Sequence, residues 1–243
     1  MTRFGVCYAN WGAPPIDIPP DCGEWAGFAH ANYGMADEPL ETPILTQGVA
    51  TKHPGGVVLN HEETTPTPIE NAAFLRKTWP HNTDLGTAIF YGADAAVEGW
   101  SGTHPIGTVA KSLRRRLPRG CPPQYAGLGL DGYPRPGYSN NPGAYVPWAT
   151  YRLDRLAVAA KINRTPSWFF IDIQNQCWPE PAKDIRLWDW PVVEMQVWSW
   201  LPYRDRGVNL MVFAQAQDDA ARVTVESAIV ENCHKINVYV HQS

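Results

Sequence analysis

Apolar residues in this chain come in short unbroken runs rather than long amphipathic stretches, and most of the runs end in a polar residue. Seven stand out: Phe4 to Asn10, Gly56 to Glu62, Gly86 to Gly92, Tyr125 to Asp131, Ser167 to Gln174, Val208 to Gln215 and Ile236 to Gln242. Runs of this length predict strands buried on both faces. From the second run onward the spacers are long enough for a crossover helix, which predicts a parallel sheet covered by helices. If such a sheet closes on itself, the C-terminal strand ends form a mouth, and here those ends are polar. The predicted fold is therefore α/β, a single (β/α)8-like TIM barrel over residues 1–243. Seven strands are countable, so either an eighth is hidden in the first connection or the barrel is seven-stranded or irregular. A doubly wound open sheet would call for a glycine-rich phosphate turn after its first strand, and the chain has NWGAPP there.

The spacers predict helices from Pro68 onward, over Thr103 to Leu117, over Val146 to Ile162, and over Asp218 to Cys233 with Ala221, Val225, Ala228 and Ile229 on one side. Between Ile185 and Leu201 the pattern is mixed. Asp189 followed by Pro191 predicts a helix start there. Residues Trp11 to Gln47 show no sustained period and predict a long functional loop lying over the mouth.

Composition narrows the function classes. The net charge is −4, and the one basic cluster, Arg114, Arg115, Arg116 and Arg119, closes a predicted helix, so no nucleic-acid partner is expected. No apolar stretch approaches a membrane span, and no secretory leader precedes Phe4. The expectation is a soluble protein that is cytoplasmic, virion-associated, or secreted with its leader removed. Five cysteines lack metal-ligand spacing, although Cys7 and Cys22 could close a loop in an oxidising setting. Eleven tryptophans and 23 prolines point to stiffened, aromatic loops.

Side chains two apart on a strand share a face. That rule pairs Tyr8 with Asn10, Asn60 with Glu62, Asp172 with Gln174, Gln215 with Gln217 and Tyr239 with His241. Together with Asp131, Tyr91 and Trp11 they would ring the mouth with amides, hydroxyls and carboxylates but few cations. Such a lining suits a neutral polyhydroxylated ligand, since a phosphate or carboxylate substrate needs cationic clamps. Glycosidic cleavage requires one protonated and one ionised carboxyl group. Glu62, with the longer side chain, is the expected acid, and Asp172 or Asp131 the expected nucleophile, base or stabiliser. Each also has a plain structural reading: Glu62 and Glu63 as a solvated strand end, Asp131 and Gly132 as a turn.

GVVLNHE, GLGLDGYP and FFIDIQNQCW resemble the strand ends of glycoside-hydrolase-like β/α barrels. The resemblance implies a cofactor-free, metal-free hydrolase whose partner is a carbohydrate. Barrel hydrolases of amino sugars carry DxE at a strand end, where this chain has Asn60 and Glu62. Two alternatives accompany this expectation: a non-catalytic carbohydrate-binding or structural barrel of a virion or envelope, and a metal-dependent hydrolase using Glu62, Asp131, Asp172 and His241.

Overall fold

The computed structural model describes residues 4–10, 24–30, 57–60, 88–91, 125–134, 141–163, 167–174, 186–216 and 219–241. Seven strands run β1 (Phe4–Asn10), β2 (Glu24–His30), β3 (Val57–Asn60), β4 (Ala88–Tyr91), β5 (Tyr125–Asp131), β6 (Ser167–Asp172) and β7 (Val208–Ala216). Every neighbouring pair is parallel, and β7 returns to pair with β1, so the sheet is closed. Three α-helices lie among the described residues: α1 (Pro142–Asn163), α2 (Trp190–Trp200) and α3 (Asp219–His241).

This corrects the expectation of an eightfold β/α barrel. The described residues contain seven strands and three α-helices, an α/β arrangement without eight strand–helix units. Two local misreadings lie behind the predicted strand count. The segment read as one long loop, Trp11 to Gln47, contains β2, whose sequence EWAGFAH has too little apolar content to stand out. Conversely, the run Ile236 to Gln242 is not a strand, because residues up to His241 belong to α3. The helix is dictated by spacing: Val225, Ala228, Ile229, Asn232, Cys233 and Ile236 are buried at intervals of three and four. The helices predicted from Pro68 and over Thr103 to Leu117 lie outside the described residues.

α1 begins four residues before the predicted Val146. Asn141 caps it, its side-chain oxygen accepting the Ala144 amide at 3.2 Å, and Pro142 opens the first turn. α2 starts after Asp189, with Pro191 in its first turn. A 3-10 turn over Leu201–Arg206 then ends at Gly207, whose φ of 81° favours glycine, and the chain enters β7.

The register assigns each strand's two faces. Phe4, Val6, Leu130, Phe169, Ile171, Val208, Leu210 and Val212 join residues of all three helices in one buried cluster, which makes theirs the outer, helix-covered face. The opposite phase of β6 and β7 carries Trp168, Phe170, Asp172, Asn209, Met211 and Phe213, all buried and turned into the closed sheet. Gly129 is the register partner of Trp168 on the neighbouring strand, and a small residue beside a large one lets the inner layer close.

Candidate site at the C-terminal rim

All seven strands are parallel, so their C-terminal ends meet on one rim. Following the register around the sheet, the inward phase at that rim contains His30 on β2, Asn60 on β3, Tyr91 on β4, Asp131 on β5, Asp172 on β6 and Gln215 on β7. No Lys or Arg occupies an inward position on any of the seven strands.

The best-defined part of the rim is the end of β6. Asp172 is 1% exposed, and its Oδ1 accepts the backbone N–H of Gln174 at 2.6 Å. A carboxylate accepting the amide two residues on is an Asx-type turn, and it ends the strand. Gln174, itself fully buried, forms an antiparallel bridge with Leu187, and the Trp188 amide donates to the Ile173 carbonyl at 2.9 Å. The strand end is thereby tied to the segment that leads into α2.

α2 adds a second tie. Buried Gln196 accepts the Asp172 amide on Oε1 at 2.9 Å, and through Nε2 donates to the Asp172 carbonyl at 2.8 Å and to the Val192 carbonyl at 3.3 Å. The neighbouring strand β5 pairs with β6 up to Asp131 opposite Phe170, so Asp131 and Asp172 share the inward phase one two-residue step apart. Standard strand spacing then puts their Cα atoms about 8 Å apart.

Just beyond β5 the Gly132 amide donates to the Phe170 carbonyl at 2.7 Å, and the Gly132 carbonyl accepts the Tyr145 hydroxyl at 2.7 Å. A Cβ on Gly132 would stand 2.1 Å from the Phe169 ring, so this glycine is demanded by close packing as well as by the turn. Tyr133 follows, and its ring lies 5.5 Å from that of Phe213, the β7 residue level with Asp172.

The predicted site residues divide into four groups. Asp131, Asp172, Gln174, Asn60, Tyr91 and Gln215 fall at the rim, on or directly beyond the strand ends, with the strand residues in the inward phase. Tyr8 and Asn10 sit at the end of β1 but level with Ala214 and Ala216, in phase with Val6 and so on the outer face; the pairing rule was sound and its phase was not. Glu62 and Trp11 lie outside the described residues. Tyr239 and His241 are corrected outright, because they ride on α3. The Tyr239 hydroxyl donates to Glu194 of α2, and its ring packs against Trp198 at 5.8 Å and Trp190 at 6.1 Å. The bond to the Glu194 carboxylate, helped by burial, holds its phenol above the ordinary value. His241 is exposed at the helix end, which removes it from the metal-ligand set. Among the described residues no group of three His, Cys, Asp or Glu could hold a metal ion.

His30 escaped notice because β2 did, its EWAGFAH sequence being too thin in apolar residues to stand out. Tyr133 and Gln196 carry no sequence signature, since their placement depends on tertiary packing. Cys233 is a buried thiol on α3, and Cys22 lies outside the described residues. No helix among the described residues is long and apolar enough to cross a membrane.

No family model matches the chain, and no curated protein does. Among solved structures, it is similar to an uncharacterized protein from Clostridium thermocellum that binds two copies of 5-methyl-5,6,7,8-tetrahydrofolic acid. The sequences are 9% identical, the alignment covers 96% of each chain, and the TM-score is 0.42, a likeness too slight to bear on function.

Proposed function

We propose that the C-terminal rim binds a neutral carbohydrate and hydrolyses a glycosidic bond with paired carboxyl groups and no cofactor. The observation that carries this reading is Asp172: a carboxylate 1% exposed, in the inward phase at the end of β6, beside the strand that ends in Asp131. Burying a carboxylate is costly, and costly groups kept at a strand mouth are where function is sought first. The inward phase without Lys or Arg favours a neutral ligand over an anionic one. One carboxyl group protonates the leaving oxygen, and the other attacks the anomeric carbon or takes a proton from the attacking water. Glu62, two residues past the end of β3, is the proposed donor, with Asp172 or Asp131 as its partner.

A second reading, a non-catalytic carbohydrate-binding protein, is favoured by the bond between Asp172 and the Gln174 amide, which gives the carboxylate work in shaping the strand end. A panel of chromogenic glycosides and glycans, run on the parent protein, Asp172→Asn and Glu62→Gln, separates the two. The hydrolase reading expects turnover in the parent and a loss of roughly 10²- to 10⁴-fold in either variant, with affinity largely kept. Glycan binding without turnover, unchanged by both substitutions, would establish the second reading instead.

A further inference from the structure

We propose that Gln196 is a positioning residue for Asp172, standing in for the strand that β5 stops supplying. This rests on reading Asp172 as a working carboxylate. β5 and β6 pair as far as Asp131 and Phe170, and the last ladder-like bond runs from the Gly132 amide to the Phe170 carbonyl. In a parallel sheet, alternate residues direct both main-chain groups to the same neighbour. The next residue of β6 to face β5 is therefore Asp172. By then β5 has turned away through Gly132 and Tyr133 towards α1, with Tyr145 holding the Gly132 carbonyl.

At Asp172, the Gln196 side-chain amide does what a peptide group of β5 would have done. It accepts from the N–H at 2.9 Å and donates to the C=O at 2.8 Å. The amide is itself anchored, since Nε2 also reaches the Val192 carbonyl one turn back on α2. Gln196 is 0% exposed, so water does not compete for these bonds. The consequence falls on the carboxyl group. With both main-chain groups of Asp172 clamped from α2 and Oδ1 held by the Gln174 amide, the side chain has a single orientation at the rim. Preorganisation of this kind is what a proton-transferring or nucleophilic carboxylate needs.

The test is Gln196→Met, which keeps side-chain length and volume but removes both bonds. It is read by amide hydrogen exchange and by steady-state kinetics on any glycoside the parent cleaves. In the parent, the Asp172 and Gln174 amides should exchange as slowly as those of Phe169 and Ile171. In the variant, both should accelerate at least tenfold while Phe169 and Ile171 hold, and kcat should fall at least tenfold with KM within about twofold. If the parent cleaves no glycoside, the hydrolase reading fails, and the exchange pattern alone decides whether Gln196 positions Asp172. The proposal is overturned if the Asp172 amide of the parent exchanges as fast as exposed amides, or if all β6 amides accelerate together in the variant. Unchanged kcat in a variant whose Asp172 amide has been released would overturn it as well.

Discussion

The two faces of β6 divide the work of this molecule. Phe169, Ile171 and Ile173 point outward into a cluster shared with the helices, and beyond Ser167 at the strand's start that side is apolar. The inward side begins with Trp168 and Phe170 and then changes character to Asp172 and Gln174, all equally buried. Burial alone therefore does not mark the site. What differs is that the outer face gains stability from apolar packing at Phe169, Ile171 and Ile173, whereas the buried residues that follow Trp168 and Phe170 give up packing for polarity at Asp172 and Gln174. At Asp172 the polarity is matched by partners: its N–H and C=O bond to Gln196 and its Oδ1 accepts the Gln174 amide, the condition under which buried polarity is tolerated.

The sharpest way to break this comparison is to truncate the outer face. Phe169→Ala should destabilise the protein by about 3–5 kcal/mol, because the cavity lies among fully buried neighbours; denaturant titration measures it. Asp172→Asn should do the reverse, keeping most of the stability while lowering turnover on a responsive glycoside by roughly 10²- to 10⁴-fold. If Asp172→Asn instead unfolds the protein, the division between faces is wrong.

Gly132→Ala probes the point where the faces meet. The new methyl would collide with Phe169, and about 1–3 kcal/mol should be lost to overpacking, read as a lower Tm. A smaller effect is expected away from the sheet, at Tyr203, whose hydroxyl donates to Asp154 at 3.1 Å. Burial, and then the Asp154 carboxylate, raise its phenol above the ordinary 10.0. A group that holds its proton more tightly when folded adds stability that is complete below the unfolded pKa and disappears as pH climbs through the folded one. The parent should therefore lose stability above about pH 10, and Tyr203→Phe should flatten that decline at a cost of about 1 kcal/mol near neutrality. Val223→Ala, at a position 65% exposed on α3, should change stability by no more than about 0.5 kcal/mol.

Six of the seven strands are legible in the sequence as apolar runs, from FGVCYAN to VNLMVFAQ. The missing one, β2, illustrates why the rest was not. A strand paired on both sides draws its support from main-chain hydrogen bonds, and Gly27, Ala26 and Ala29 show how little side-chain signal that support requires. The false strand at Ile236 failed for the opposite reason: seven residues cannot distinguish a buried strand from the last turns of a helix, whereas the window from Val225 can. At the site, the alternation rule set Asp172 beside Gln174, and both lie buried where β6 ends, but it could not supply the phase of β1, which only the pairing of Val6 with Val212 settles. The role of Gln196 was unreadable because nothing local relates it to a residue 24 positions away.

The pairing of β1 with β7 also bears on how the chain reaches its native state. β1 leaves the ribosome before the other six strands, yet one of its edges waits for a strand that begins at Val208. At ordinary elongation speeds that interval is roughly 10–40 s. Throughout it, the Phe4–Asn10 segment presents an unsatisfied main-chain edge of the kind that templates association with other chains. The closing contact is also among the longest in sequence the fold contains, so its loop entropy must be met before it returns any stabilisation. Sheet closure is therefore expected as the late, slow event of folding, and the nascent chain should depend on partners that shield β1 until β7 arrives.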